Sequence, residues 1–336
     1  MRLELLKWLR CPSCHAGDLQ VHVFEPDGES VVANGVLTCG ACDMAYKIED
    51  RIAELIVREP LWHTVGNPFT NRFAKELSEM DLGARPDPAR LVDEHKVGQS
   101  EIFDEIVNFY EGMTDSVFWR EVDRKVAGLW RPHLEKHSMI LEVGCGNGRI
   151  SRPLATENRV VVGVDISRGM LAKAIEDATD NESLFYVMGD AENLPFQDQI
   201  FDASLIYGVL HHLSEPADCL KEVARVMQIG GEFFALENNR SLFRGLFDLL
   251  VKMKKLWEEH PSEHYVMSAE EIKDWGAAAG MQLATETMVY LPPHFVNPLP
   301  AGGARTVLET SERLLGSLPL LRHHGGLLHI RGSRGA

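Results

Sequence analysis

One short stretch limits what this chain can fold into more than any other: Ile140-Leu141-Glu142-Val143-Gly144-Cys145-Gly146-Asn147-Gly148-Arg149. An apolar strand runs into a G-x-G-x-G turn, and a helix is expected after Gly148. Glycines there let the backbone take positive φ and pass close beneath a ligand. On either side, apolar runs alternate with helical patterns: VVVGVDIS, a helix from Met170, LFYVMGDA, FDASLIYG, a helix over Ala217–Met227 and GEFFALEN. Such alternation predicts an α/β fold, a doubly wound Rossmann-like sheet with helices on both faces. The glycine turn then sits at the carboxyl end of a strand, where ligands bind in such sheets.

Before this core, four of the six cysteines form two C-x-x-C pairs, Cys11 with Cys14 and Cys39 with Cys42, 24 residues apart. No apolar run with a cleavage site marks an export signal at Met1, so a reducing, cytoplasmic location is expected, and there such pairs read as metal ligands. Two pairs supply a closed four-sulfur shell, which implies a structural Zn2+ in a ribbon over residues 1–60. A redox dithiol is the alternative. Residues 61–137 read as linker and N-terminal helices, with Ile102, Phe103, Ile106, Val107 and Tyr110 at helical spacing. Residues 138–240 form the ligand-binding core. Residues 241–336 hold a helix over 241–258, a capping box at Ser268–Glu271, a strand near Gln282–Tyr290, a proline-rich loop over 291–303, a helix near Ala304–Leu315 and a last strand.

The glycine turn and Asp165, 17 residues after Gly148, are also compatible with a nicotinamide-binding fold. Gly189-Asp190-Ala191-Glu192-Asn193-Leu194-Pro195-Phe196 separates the two. LEVGCGNG, GVDIS, GDAENLPF and FDASLIYGVLHHL together resemble class I S-adenosylmethionine-dependent methyltransferases, in that family's order and spacing. The resemblance covers residues 100–240 and implies a seven-stranded methyltransferase sheet. It implies that Gly144, Gly146 and Gly148 line the methionine part of S-adenosylmethionine and that Glu142 orients the loop or a water near the methionine end. Asp165, with Ile166 beside it, would hold the ribose. Asp190 would accept from the adenine amine and the Ala191 backbone would meet the ring. Tyr110 resembles an aromatic that folds over the cofactor, or is a core helix position.

No Asn-Pro-Pro-Tyr or Asp-Pro-Pro-Tyr motif follows FDASLIYG, which disfavours adenine or amide methylation. Leu210-His211-His212-Leu213 resembles the ubiquinone and menaquinone C-methyltransferase branch. His211 is the better candidate base or acceptor-orienting group, with His212 beside it, because imidazole changes protonation near neutral pH. Both histidines could instead cap the next helix, and Tyr207 could close on the methionine end or only pack.

The amino-terminal stretch LLKWLRCPSC…GVLTCGACDMAYKIEDRIAELI resembles the small zinc-ribbon activator of tRNA and release-factor methyltransferases, which implies a stabilising or substrate-presenting role. Three functions follow as expectations. The first is methyl transfer to a small-molecule, lipid or glycan-conjugate acceptor. The second is rRNA or tRNA methylation, since a guanine methyltransferase family also joins a zinc module to this fold. The third is a non-catalytic cofactor-binding adaptor. Charge separates the first two. The chain carries 34 Lys and Arg against 50 Asp and Glu, a net −16, and residues 1–60 carry 6 basic and 10 acidic side chains. That balance excludes DNA and disfavours RNA as a partner, because phosphate contacts need a basic surface. The helix over 241–258, with Phe243, Phe247 and Trp257 among Arg244, Lys252, Lys254 and Lys255, suggests peripheral membrane contact or a packed cap. Nothing in the sequence sets the oligomeric state.

Overall fold

The computed structural model describes residues 1–17, 19–58, 67–80, 82, 91–178, 181–241 and 266–335. The basic helix expected over 241–258 falls almost wholly outside these residues. In chain order the elements are β1 (Leu19–Pro26), β2 (Val32–Cys39), β3 (Ala45–Glu49), β4 (Ile52–Leu55), α1 (Pro68–Arg72), α2 (Ala74–Ser78), α3 (Glu94–Glu105), α4 (Val107–Thr114) and α5 (Val117–Leu134). There follow β5 (Met139–Val143), β6 (Val160–Asp165), α6 (Arg168–Asp177), β7 (Leu184–Gly189), β8 (Phe201–Tyr207), α7 (Pro216–Val226) and β9 (Met227–Asn238). The described chain closes with α8 (Ala269–Ala278), β10 (Met281–Met288), α9 (Pro293–Val296), α10 (Ala301–Gly316) and β11 (Leu327–Arg334). Among the described residues no helix is long and apolar enough to cross a membrane. The fold is mixed α/β, with an amino-terminal four-cysteine cluster.

The chain divides into two compact units. The first comprises Met1–Glu105 and Met139–Phe201, and the second Ile106–Ser138 and Asp202–Ala336. In the first, β1 to β4 form an antiparallel ribbon, and β4 continues as a parallel neighbour of β7, with Glu54 opposite Met188 and Leu55 opposite Gly189. The parallel order β7-β6-β5 follows, with Val162 between Phe185 and Leu141. Every residue of β4 and β7 is buried, as befits parallel strands covered on both faces. The strand at Ile52–Leu55 went unseen in the sequence because four apolar-rich residues carry no period. The stretch read as linker also does more than connect. Phe69, Phe73 and Leu77 of α1 and α2 are buried with Val36 and Ala45, and Phe24 packs on the group.

In the second unit β9 and β10 flank β11, both antiparallel to it, and β8 neighbours β9. Helix α5 buries Phe118, Val122, Val126, Trp130 and Leu134, spaced at three or four residues along one stripe. Trp130 packs against Tyr207 and Phe234, and its indole N–H donates to His329 Nε2 at 2.9 Å. The capping box at α8 is formed: the Ser268 side chain accepts from the Glu271 amide, and the Glu271 carboxylate accepts from the Ser268 amide.

Two sequence expectations are corrected here. The helix expected after Gly148 is a run of hydrogen-bonded turns over residues 149–154. Pro153 has no amide to donate and breaks the ladder there. The proline-rich segment 291–303 is not a single loop, since it holds α9 and the first turn of α10. Pro293 starts α9 and Pro300 stands at the N-cap of α10, positions where a missing N–H costs nothing.

Gly163, in the middle of β6, shows how close the sheet lies to the glycine turn. A Cβ there would lie 2.7 Å from both Cys145 Sγ and Tyr186 Cδ1. Gly163→Ala is therefore expected to cost about 1–3 kcal/mol, the usual range for overpacking a filled core. A urea midpoint equal to wild type would contradict this packing.

Candidate active site and metal centre

The four cysteine sulfurs lie within 4.8 Å of one another. Cys11 Sγ is 3.7 Å from Cys42 Sγ, and Cys14 Sγ is 3.5 Å from Cys39 Sγ. Those separations are far too long for disulfides. Four sulfurs at about 2.3 Å from one Zn2+ stand roughly 3.8 Å apart in a tetrahedron, so the donor set fits that ion. Two tight turns place the thiols, with the amide of His15 donating to the Cys11 carbonyl and that of Asp43 to the Cys39 carbonyl. His15 itself turns away with φ 64° and bonds Asn193 Oδ1 at 3.2 Å.

The same ribbon holds the segment that carries Asp190. Leu9 bridges Phe196, the Arg10 amide donates to the Pro195 carbonyl at 3.0 Å, and the Gln197 amide donates to the Trp8 carbonyl at 2.9 Å. Asn193 Nδ2 donates to the Pro12 carbonyl at 3.0 Å. The Cys11 knuckle and the Asp190 loop are thus one hydrogen-bonded structure.

Gly144, Gly146 and Gly148 all take positive φ, at 68°, 51° and 74°. The Gly144 and Cys145 amides both donate to the Val164 carbonyl, which folds the loop back over β6. A Cβ on Gly146 would meet no atom within 4 Å, so this backbone borders open space. Asp165 accepts the Gly146 amide on Oδ2 at 2.7 Å and the Ser167 amide on Oδ1 at 2.8 Å. Each oxygen keeps a second lone pair. Burial pushes the Asp165 carboxyl above its ordinary range, opposed by those amides. Glu142, in β5 beneath the loop, is buried and hydrogen-bonded to Ser151 Oγ. Burial pushes its carboxyl from the ordinary 4.5 up to about 8.

Helix α3 adds residues that sequence reasoning missed. Lys96 Nζ lies 2.7 Å from Asp190 Oδ2 and 2.5 Å from Glu192 Oε2. Ser100 Oγ donates to the Ile166 carbonyl at 3.0 Å, and Asp104 Oδ1 accepts from Ser167 Oγ at 2.6 Å. One face of α3 therefore touches the carboxyl-terminal ends of β6 and β7. Its charged, weakly apolar sequence gave no signal for that contact. Ala191, half-buried, follows Asp190, whose Oδ1 accepts the Glu192 amide at 2.9 Å.

The remaining candidates lie in the second unit. His211 and His212 form a single 3-10 turn after β8, with ring centroids 4.0 Å apart. His211 Nδ1 lies 2.8 Å from Glu237 Oε2, while Glu237 Oε1 accepts the amides of Val209 and Leu210 at 2.7 and 2.8 Å. Glu237, near the end of β9, is buried, and nothing local in the sequence marked it. Tyr207 is buried between Trp119 and Trp130, and its hydroxyl donates to Asp123 Oδ1 at 2.6 Å. Tyr110, half-buried, lies in α4.

Residues 141–235 match the family model described as Methyltransferase domain. The chain is 29% identical over 190 residues to a demethylmenaquinone methyltransferase of Corynebacterium kroppenstedtii, covering 52% of this chain and 78% of that protein. It is 26% identical over 163 residues to a ubiquinone biosynthesis O-methyltransferase of Coxiella burnetii, covering 47% and 69% respectively. Among solved structures, an S-adenosylmethionine-dependent methyltransferase of Thermotoga maritima shares the fold at a TM-score of 0.50 and 23% identity, over 70% of this chain and 99% of the other.

The Glu142 carboxyl has a consequence for stability. Its folded pKa is raised, so between about 4.5 and about 8 the native chain holds a proton that the unfolded chain has released. Stability from this group is full below pH 4.5 and falls as pH rises towards 8. Glu142→Gln should therefore lose less stability than wild type between pH 5 and pH 8 in denaturant titrations. Parallel profiles would remove the buried proton from the account.

Proposed function

The chain is a class I S-adenosylmethionine-dependent methyltransferase, and we propose that it methylates a small apolar hydroxyaromatic acceptor of the quinol type. The observation that carries the acceptor side is the His211–Glu237 pair. Glu237 already accepts two backbone amides, so it meets Nδ1 of His211 as a further acceptor and fixes the proton there. The lone pair then resides on Nε2, the tautomer a general base requires. His211 removes the acceptor's hydroxyl proton, or the ring proton in carbon methylation, and Glu237 positions it and steadies the imidazolium. Both quinone-methylating relatives support this class of acceptor.

S-adenosylmethionine supplies a methyl group on a sulfonium, open to in-line displacement. The chain's part is to hold, align and exclude water. In this reading Asp165 accepts from the ribose hydroxyls through its spare lone pairs, with Ile166 lining the same end. Asp190 accepts from the adenine amine, with Lys96 holding its carboxylate in place, and Ala191 lies against the ring. Gly144, Gly146 and Gly148 carry the backbone past the methionine portion, and Glu142 holds the loop from below. Tyr207 and His212 shape the acceptor side. Cys11, Cys14, Cys39 and Cys42 hold a structural Zn2+ with no open position. Residues 1–60 act as a ribbon that braces the loop carrying Asp190.

Incubation with labelled S-adenosylmethionine and a panel of short-chain quinols, catechols and RNA tests the acceptor. Label should enter the quinols; label entering only RNA would refute the reading. His211→Ala and Glu237→Gln should each lower kcat at least tenfold, in the range of a lost acid–base group. Calorimetric affinity for the cofactor should stay unchanged in both, whereas Asp165→Ala should abolish it.

Metal removal gives a second check. Emission spectrometry should find one zinc per chain. Stripping it, or Cys42→Ser, should weaken cofactor affinity several-fold because the Cys11 knuckle and the Asp190 loop are bonded together. Full affinity in a zinc-free chain would confine the ribbon to some other task.

A further inference from the structure

The end of α10 presents apolar side chains to solvent in an ordered setting. Leu314 is 61% exposed, Leu318 47% and Leu320 86%, and Ser317 and Pro319 between them are exposed as well. This is not a frayed terminus. The Leu318 amide donates to the Leu315 carbonyl, those of Leu321 and Arg322 donate to the Leu318 carbonyl, and that of His324 donates to the Leu321 carbonyl. The far side is tied down too. Thr287 Oγ1 and Tyr290 Oη both donate to the Arg322 carbonyl, and Asn239 Nδ2 donates to the carbonyls of His323 and Gly325 at 3.2 and 2.7 Å. A pinned turn thus holds three leucines outward at standing hydrophobic cost.

Its charge has one sign. Residues 313–325 contain Arg313, Arg322, His323 and His324 and no acidic side chain, in a chain whose net charge is −16. Arg313, Arg322 and His323 are exposed. Leucines at a convex tip with cations at its flanks match the layered chemistry of an anionic bilayer, apolar below the phosphates. A protein partner fits less well. Stable protein interfaces need about 800 Å² from each side and favour aromatic anchors, which a short turn of leucines does not provide.

We propose that the turn Arg313–His324 is a docking surface for an anionic phospholipid bilayer, with Leu314, Leu318 and Leu320 entering the interface and Arg313 and Arg322 meeting headgroup phosphates. The surface shares no residue with the stretch 241–258, and lipid binding there does not depend on which acceptor the enzyme uses.

Co-sedimentation with phosphatidylglycerol-rich and with pure phosphatidylcholine vesicles, without cofactor or acceptor, tests it. The wild-type chain should bind the anionic vesicles and bind phosphatidylcholine weakly. Leu318→Asp with Leu320→Asp should lower binding roughly tenfold or more, Leu320→Ser by less, and Arg313→Glu with Arg322→Glu should remove the preference for anionic lipid. Ile229→Asp, at an equally exposed apolar position on β9, should bind as wild type does. Thermal melts should be unchanged in all four, since the altered side chains are largely exposed. The proposal is overturned if wild type does not sediment with anionic vesicles, or if the leucine variants bind as well as wild type. Self-association lost in the leucine variants, without vesicle binding, would assign the turn to a second copy of the chain instead.

Discussion

The hydrogen bond from the Gly146 amide to Asp165 is the constraint on which the glycine turn and its surroundings rest. It joins the glycine turn after β5 to the end of β6 at 2.7 Å, so neither the loop nor the carboxylate is placed independently. It needs Gly146 at φ 51°, a conformation that side-chain-bearing residues take at a cost. It also needs the loop folded onto β6, which the paired amides of Gly144 and Cys145 on the Val164 carbonyl secure. That fold brings Cys145 over Gly163, where a Cβ would collide with its sulfur. A local turn, a strand glycine and a buried thiol are thus a single packing solution.

A second dependence runs through the ribbon. In many domains a zinc knuckle is an appendage, but here β4 extends the parallel strands of the first unit at β7, and the first knuckle is bonded to the segment after Asp190. Arg168 of α6 reinforces this, reaching Glu54 at 2.6 Å and Asp50 at 3.0 Å. The four-cysteine cluster and the loop carrying Asp190 are therefore joined by backbone hydrogen bonds, which do not depend on salt.

How much of this could be read in advance follows the range of the interactions. The glycine turn, Asp165, Asp190 and the cysteine pairs were legible because each is a local pattern whose chemistry fixes its spacing. Glu237 was not, because it acts on Val209, Leu210 and His211 from a strand 26 residues further on, and an acid at the end of an apolar strand has no period to betray it. Lys96 was missed for the same reason: its partners Asp190 and Glu192 lie more than 90 residues away. The helix expected after Gly148 failed on one residue, Pro153, whose missing amide outweighed the fold-level pattern.

Charge pairing settles how the ribbon's cations are spent, and it bears on the choice between small-molecule and RNA acceptors. Of the six basic side chains in residues 1–60, Lys7 pairs with Glu4, Arg10 with Asp198, Lys47 with Glu49 and Glu54, Arg51 with Asp27, and Arg58 with Glu54. The sixth, Arg2, donates to the Asn181 carbonyl and stacks over Phe185. A phosphate backbone approaching this ribbon would have to break an existing contact for each cation it gained, in a segment that carries ten acidic residues. Counterion release, which drives protein–nucleic acid association, then has little to work with. The occupancy of each cation, more than the net charge, thus weighs against RNA docking on this ribbon.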